Sequence, residues 1–244
     1  WADQPGDRGR LCLDGVEIPV LDSITVAHLP NGTTLVDHDI DITRDSHGVN
    51  WLVGHRVDRH DLQLVVGAEI ELHVDAGRRL ALSASHTACH LVALALNQSV
   101  AHLWRKGAPV DSRGYPNLDA VACVHSHHEL DGSVDRYRLG KSLRRRGFAS
   151  DRLLEDPTRY ADAISATVNQ WLSTRADVRI ERDGPLLSDR RNWVCDLPGG
   201  AAQMPCGGTH PTHLGEIARV SVAATATADG SELVLRTTTT VAPV

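Results

Sequence analysis

The first 78 residues carry the hydrophobic pattern of β-strands. Segments rich in β-branched residues alternate with turn signals such as Asp14-Gly15 and Asn31-Gly32. The four segments that we expect to be strands are Val16–Ile24, Thr33–Ile42, Val49–Val57 and Leu62–Val74. β-branched side chains suit a pleated surface, whereas Asn and Gly suit tight turns. The pattern predicts antiparallel strands that form a small N-terminal β-barrel domain over residues 1–78.

Near Arg78 the spacing of the hydrophobic positions changes to three and four residues. The positions that carry this spacing are Leu80, Leu82, His86, Cys89, His90, Ala93 and Leu94. Such spacing places side chains on one face of a helix. We therefore predict a helix from about Arg78 to about Trp104, at the start of a second domain over residues 79–244.

The rest of this second domain mixes loops, strands and helices. Gly- and Pro-rich loops are expected over residues 105–116 and 197–208. The predicted strands are Leu118–His125, Val178–Arg182, Glu216–Ala226 and Leu233–Thr240, with the run Thr237–Thr240 at a sheet edge. The predicted helices are Tyr137–Phe148 and Pro157–Leu172. The fold class that follows is α+β, with a small β-barrel followed by an α/β domain that has an antiparallel sheet and a metal-binding helix.

Composition narrows the class of protein. The chain has 244 residues, of which 41% are hydrophobic and 23% charged, as in ordinary globular proteins. It contains no run of about 18 apolar residues, so we expect no membrane partner. Five cysteines at irregular spacing favour a reduced, cytoplasmic compartment over a disulfide framework. The net charge of −6 disfavours a generic nucleic-acid binder and therefore DNA as a partner.

Two motifs about 120 residues apart suggest a metal site. Residues 86–90 read HTACH and residues 206–210 read CGGTH. The first motif stacks two imidazoles at i and i+4 on one helix face, and the glycines of the second allow a turn that brings a thiolate and an imidazole together. Either motif alone is common by chance, but the two together predict a zinc ion held by His86, His90, Cys206 and His210.

Two classes of enzyme fit the sequence poorly. A zinc peptidase helix reads HExxH and uses its Glu as the general base, whereas the corresponding residue here is Thr87. A complete aminoacyl-tRNA synthetase is not expected, because no Gly-rich Walker-type loop for ATP is present.

The motifs resemble those of the editing domain of alanyl-tRNA synthetase and of the stand-alone AlaX proteins, whose usual spellings are HTATH and CGGTH. Residues 4–9, QPGDRG, resemble the GGQPxDxG loop that opens the longer AlaX proteins, and residues 214–217, LGEI, resemble the TGEIG strand entry. The resemblance covers most of the chain. It implies a free-standing, zinc-dependent hydrolase that removes a wrong amino acid from tRNA in trans.

Three departures from the family pattern bear on the amino acid that is removed. Ala2-Asp3 replaces two glycines, Cys89 replaces the second Thr of HTATH, and residues 105–156 do not match typical AlaX proteins. Asp3, Gln4 and Cys89 are therefore candidate substrate-binding residues. The candidate amino acids are Ala, Ser, Thr and Thr analogues such as fluorothreonine. Fluorothreonine is included because one relative that departs from the family pattern is a fluorothreonyl-tRNA deacylase.

Ester hydrolysis needs an activated water and donors for the developing oxyanion. Zinc can lower the pKa of water or polarise the carbonyl, or it can hold the substrate amine while a nearby water attacks, and the residues leave these alternatives open. The amides of Gly207, Gly208 and Thr209 are candidate oxyanion donors. Thr87 and Thr209 are candidates to position water, and Asp196 to orient water or a ligand. Each also has an ordinary structural reading.

A basic stretch in this acidic chain is the candidate contact for the acceptor end of tRNA. It includes Arg138, Lys141, Arg144, Arg145 and Arg146. Such a patch can hold phosphates whatever the net charge, although a solvated helix face is the alternative. The HSHH stretch over residues 125–128 reads as a strand end and solvated loop rather than a second metal site.

Two other functions remain open at this point. One is a non-catalytic RNA-binding module with a structural zinc, and the other is a zinc hydrolase that acts on a small-molecule ester. The residues do not indicate the oligomeric state.

Overall fold

The computed structural model describes residues 4–59 and 65–243. The chain divides into two compact units. The first unit comprises residues 6–79 and 182–190, and the second comprises residues 4–5, 80–181 and 191–243. The predicted division into functional domains at residues 78 and 79 stays a prediction.

The first unit is built on one antiparallel sheet. Its strands are β1 (Gly9–Leu13), β2 (Val16–His28), β3 (Thr34–Val36), β4 (Asn50–Val57) and β5 (Glu71–Val74). The turn between β1 and β2 has two residues with positive φ, Asp14 at 49° and Gly15 at 77°. This backbone matches the right-handed twist of a hairpin, which is why Asp-Gly is favoured there.

This sheet is open in the described ranges 4–59 and 65–243, so the predicted closed barrel is not found there. The strand order is β3-β2-β1-β5, and β4 also pairs with β2. A barrel requires the two terminal strands to pair with each other, and β3 and β5 do not. The expected strand Thr33–Ile42 stops at Val36, and a short 3-10 helix begins at Asp37. Of the expected strand Leu62–Val74, residues 62–64 lie outside the described residues, and the described part forms a strand over Glu71–Val74.

The second unit contains helices packed with two antiparallel sheets. The helices are α1 (Ala76–Val100, from Leu80 on in this unit), α2 (Leu118–Ala122), α3 (Lys141–Arg145), α4 (Ser150–Glu155) and α5 (Pro157–Ser173). The strands are β6 (Cys123–Glu129), β7 (Gly132–Arg138), β8 (Val178–Arg182), β9 (Arg191–Cys195), β10 (Ala202–Pro205), β11 (Ile217–Ala226) and β12 (Glu232–Val241). The sheet orders are β11-β12-β7-β6 and β10-β9-β8.

The two long helices agree with their sequence patterns. Helix α1, extended by a 3-10 turn to Leu103, spans the predicted stretch, and α5 begins at Pro157 as predicted. The side chain of Asp156 caps α5 by accepting a hydrogen bond from the Arg159 amide at 3.0 Å. Both helices are held by packing as well as by propensity, because their inward faces join one continuous core cluster.

Four element predictions in the second unit are wrong in part. The expected loop over residues 197–208 contains the strand β10, because β9 offers it a partner. The expected strand Leu118–His125 divides into α2 and β6, because Asn117 caps a short helix by accepting from the Ala120 amide at 2.9 Å. The expected helix Tyr137–Phe148 divides into the end of β7 and the short α3, since β12 offers Tyr137 and Arg138 a strand partner. The run Thr237–Thr240 is not an edge, because β12 lies between β11 and β7.

Helix α1 is unusually apolar. Residues Ala76–Leu103 are long and apolar enough to cross a membrane by length and composition. An apolar 18-residue window of this stretch is 78% buried inside the protein. The hydrophobic character of α1 is accounted for by its position in the core of the second unit.

Candidate metal centre

Four side chains of the second unit converge on one point. His86 and His90 come from consecutive turns of α1, and Cys206 and His210 come from the loop after β10. Their nitrogen and sulfur ligand atoms all lie within 4.8 Å of one another. The Cys206 Sγ is 3.4 Å from His86 Nε2 and 3.3 Å from His210 Nε2. These are the residues that the two sequence motifs single out.

The surroundings of the cluster keep its imidazoles neutral. Burial lowers the pKa of His86 to about 2 and that of His210 to about 3, and it lowers the pKa of His90 well below the usual 6.5. The neighbouring histidines lower these pKa values further, because adjacent positive charges repel. At neutral pH each ring therefore keeps a nitrogen lone pair available for coordination.

One nitrogen atom of the cluster indicates that the site fits a metal ion. His90 Nε2 is buried and has no hydrogen-bond partner among the described residues. A buried nitrogen without a partner costs free energy unless something coordinates it. Three imidazoles and one sulfur converge here, so the cluster can hold a metal ion.

A second layer of polar groups surrounds these ligands. Gln4 Oε1 lies 2.9 Å from His86 Nδ1, and Thr87 Oγ1 lies 2.8 Å from His210 Nδ1. The Gln4 side chain also donates to Thr209 Oγ1 at 2.7 Å, and Ser83 donates to the same oxygen at 2.9 Å. Gln4, Thr87 and Thr209, which we expected at the substrate or the attacking water, thus contact the ligands and their loop in this structure.

Two of the three candidate oxyanion donors already have acceptors. The Gly208 amide donates to Cys206 Sγ at 3.4 Å, and the Thr209 amide donates to Gln4 Oε1 at 3.1 Å. A Cβ on Gly208 would lie 2.2 Å from His86 Cε1. Glycine at 208 is therefore required by the close approach of the loop to a ligand ring. The role of the Gly207 amide stays a prediction.

Cys89 is oriented away from the four ligands. Its Sγ lies 3.9 Å from both carboxylate oxygens of Asp135, a residue that is only 3% exposed. Ser126 and Ser133 donate hydrogen bonds to the same carboxylate at 2.5 and 2.9 Å. Burial and the nearby carboxylates raise the pKa of Cys89, so it is a neutral thiol. Its predicted contact with substrate is not tested by this geometry.

The interpretation of residues 125–128 as a strand end and solvated loop missed a residue beside the site. They belong to β6, whose alternation places Ser126 and His128 inward and His125 and His127 outward. His128 is 5% exposed, and its ring centroid is 4.7 Å from that of His86. Strand periodicity applied to HSHH is the signal that would have found it.

One other predicted site residue lies away from the cluster. Asp196 is on the surface, where Arg179 donates to its carboxylate at 2.8 Å. Asp3 lies outside the described residues. Cys195 is fully buried in the core, as expected, and burial raises its pKa to about 12.

The predicted RNA-contacting residues share a larger basic surface. Arg138 ends β7, and Lys141, Arg144, Arg145 and Arg146 follow on and after α3, all exposed. The Arg105 amide donates to the Gly147 carbonyl at 2.9 Å, which brings residues 105–106 beside this stretch. Arg105, Arg144 and Arg152 then line a pocket of about 180 Å³. We call these side chains, together with Lys106, the basic surface; it holds both lysines of the chain.

The fold and the cluster define an α+β protein with a His₃Cys cluster that can hold a metal ion. No family model matches the chain. It is similar to the alanine–tRNA ligase of Methanopyrus kandleri, 28% identical over 188 residues, which is 73% of this chain and 18% of that protein. It is also similar to the alanine–tRNA ligase of Thermofilum pendens, 29% identical over 162 residues, which is 64% of this chain and 16% of that protein. The chain thus contains a domain related to a segment of alanine–tRNA ligases and spans less than a fifth of their length.

Proposed function

We propose that this protein is a trans-editing hydrolase that cleaves the ester of a mischarged aminoacyl-tRNA. The amino acid lies in the size range of Ala, Ser and Thr or their analogues, such as fluorothreonine, and the reaction takes place in the cytoplasm. The observation that carries the proposal is the convergence of His86, His90, Cys206 and His210 in a chain related to alanine–tRNA ligases. We propose zinc as the metal because three imidazoles and a thiolate suit its tetrahedral coordination.

Bound zinc would supply Lewis-acid chemistry, which lowers the pKa of water and polarises a carbonyl. The residues of the chain prepare the site for it. Burial keeps the three imidazoles neutral, and the Gly208 amide donates a hydrogen bond to the Cys206 sulfur. His128 and the Gly207 amide lie at or beside the cluster and are candidates to contact the ester.

The basic surface is the proposed contact for the acceptor end of tRNA. Its side chains are exposed, and they form a local basic patch in a chain whose net charge is −6. Phosphates bind such regions through charge and release of counterions, which does not require a positive net charge. In this proposal RNA binds at the basic surface, whereas the ester is cleaved at the cluster.

A deacylation panel tests the activity. Purified protein is mixed with Ala-, Ser-, Thr- and substituted Thr-tRNA, and kcat/KM is measured for each. We expect hydrolysis with selectivity of at least about 10- to 200-fold between substrates, the range that one methylene or small group provides. Cys206→Ala should abolish activity, whereas Cys12→Ala, the same change in the first unit, should leave it intact.

The panel also separates the two other functions. A non-catalytic RNA-binding module would bind tRNA without hydrolysing any ester, and a small-molecule hydrolase would cleave an aminoacyl ester equally well without the tRNA body. Equal rates on all the aminoacyl-tRNAs would contradict selective editing even if hydrolysis is observed.

A further inference from the structure

Gln4 is placed where a substrate contact was expected, yet its hydrogen bonds all go to the metal centre. Its Oε1 accepts from two donors, His86 Nδ1 at 2.9 Å and the Thr209 amide at 3.1 Å. An amide oxygen carries no proton, so the proton of this hydrogen bond must sit on His86 Nδ1. The other ring nitrogen, Nε2, then keeps its lone pair and faces Cys206 Sγ at 3.4 Å.

The orientation of the Gln4 amide follows from its neighbours. Its nitrogen donates to Thr209 Oγ1 at 2.7 Å, and that oxygen also accepts from Ser83 Oγ at 2.9 Å. A flipped amide would point its NH₂ group at the Thr209 N–H donor, which is unfavourable. The network therefore has one consistent arrangement, with the oxygen directed at His86.

The packing around this contact is close. A Cβ on Gly208 would lie 2.3 Å from His86 Nδ1 and 3.0 Å from Gln4 Oε1. The loop backbone, the ring and the amide oxygen are thus in mutual contact. Since Oε1 also holds the Thr209 amide, one atom joins the ligand on α1 to the loop that carries Cys206 and His210.

The hydrogen-bond partner of His210 can be compared with that of His86. His210 Nδ1 lies 2.8 Å from Thr87 Oγ1, so helix α1 supplies the hydrogen-bond partner of this loop residue. His86 has no such partner from its own helix among the hydrogen bonds of the described residues; its Nδ1 is served by a residue 82 positions earlier in the chain. Gln4 is therefore an integral part of the metal centre.

We infer that Gln4 is a positioning residue that sets the proton of His86 on Nδ1, presents Nε2 to the metal ion, and holds the Cys206–His210 loop against it. The inference deepens the proposed function and rests on its metal site, although it does not depend on deacylation. Partners of this kind fix the ring orientation and tautomer of a metal-binding histidine and raise its affinity as a ligand.

The test compares the zinc affinity of four full-length proteins by chelator competition. Gln4→Leu should bind Zn²⁺ about 10- to 100-fold more weakly than the unmodified chain, the usual effect of removing such a partner. Gln4→Glu keeps an acceptor oxygen and should recover most of the loss. Gln170→Leu makes the same change at an exposed glutamine of α5 and should bind Zn²⁺ normally.

A second readout distinguishes positioning from a general loss of structure. Long-range ¹H–¹⁵N NMR correlations of the metal-free protein report which nitrogen of His86 is protonated. We expect Nδ1–H in the unmodified chain and in Gln4→Glu, and a mixture of tautomers in Gln4→Leu. Unchanged zinc affinity in Gln4→Leu, or a tautomer of His86 that is the same in Gln4→Leu as in the unmodified chain, would overturn the inference.

The outcomes also separate this inference from the proposed function. If the unmodified chain binds Zn²⁺ and loses affinity with Gln4→Leu but hydrolyses no aminoacyl-tRNA, the positioning role stands and the editing function fails. If the chain hydrolyses aminoacyl-tRNA and Gln4→Leu binds Zn²⁺ normally, the function stands and the positioning role fails.

Discussion

The two units of this protein bury very different amounts of hydrophobic surface. In the first unit the core cluster consists of Leu11, Ile18 and Val20, with Leu13 and Val57 packed against it. In the second unit a continuous cluster includes residues from α1, α5 and both sheets. Large hydrophobic side chains on the strands of the first unit, such as Leu52 at 44% and Val53 at 54%, remain exposed.

This difference explains where the metal centre is found. A site of four ligands needs neighbours that hold each ring in one orientation, and such neighbours are available only in a well-packed region. Thr87 is fully buried, and His86 is 4% exposed, so both are held by the core of the second unit. The sheet of the first unit relies more on backbone pairing and exposed charge pairs, which stabilise a fold less per residue.

The largest effect that tests this comparison comes from truncating one leucine in each unit. Leu96→Ala in the core of the second unit should lower the free energy of unfolding by about 2–5 kcal/mol, because Leu96 is fully buried. Leu52→Ala on β4 should change it by less than about 0.5 kcal/mol. Urea denaturation measures both. Similar losses for the two variants would show that the first unit is as tightly packed as the second.

A smaller effect is expected from the metal ion. Zn²⁺ at about 100 times its Kd should stabilise the second unit by about 2.7 kcal/mol. Hydrogen exchange should show slower exchange in α1 and unchanged exchange in β2 and β4, because the ligands lie only in the second unit. Cys206→Ala should remove this protection. Full zinc retention by that variant, or equal protection of both units, would contradict the ligand set.

The smallest effect on stability is expected on the basic surface, where the change concerns RNA. Replacing Arg144, Arg145 and Arg146 with Ala should leave unfolding within about 0.5 kcal/mol, because all three are exposed. The same variant should bind tRNA more weakly and with a shallower dependence on salt, since fewer counterions are released. Binding is measured by fluorescence anisotropy across a salt series.

The matched control removes three exposed arginines of the first unit. Arg8, Arg10 and Arg56 are exposed, and their replacement with Ala should leave the salt slope unchanged. If this control flattens the slope as much as the triple change on the basic surface, RNA contacts are not confined to the second unit.

Local patterns along the chain predicted some features well. The three- and four-residue spacing after Arg78 predicted α1, and Pro157 predicted the start of α5. HTACH and CGGTH named the residues that converge as a cluster. These features depend on contacts within a few residues or on ligand chemistry, so they can be recognised from the sequence alone.

The errors occurred where partners come from distant positions. Tyr137 and Arg138 continue a strand because β12 pairs with them, although the sequence around them favours a helix. The first sheet does not close, since closure depends on whether β3 and β5 meet. His128 was missed because its inward orientation follows from the register of β6 on β7.

The sequence by itself therefore determined the ligand types, their spacing and the helix that carries two of them. Only the tertiary structure decided what surrounds them: that Gln4 serves His86, that Thr87 serves His210, and that Asp196 lies on the surface with Arg179. The physical reason is that a hydrogen bond between residues 82 or 123 positions apart leaves no periodic trace in the chain. It exists only after the cores on either side have folded and fixed the distance between the two atoms.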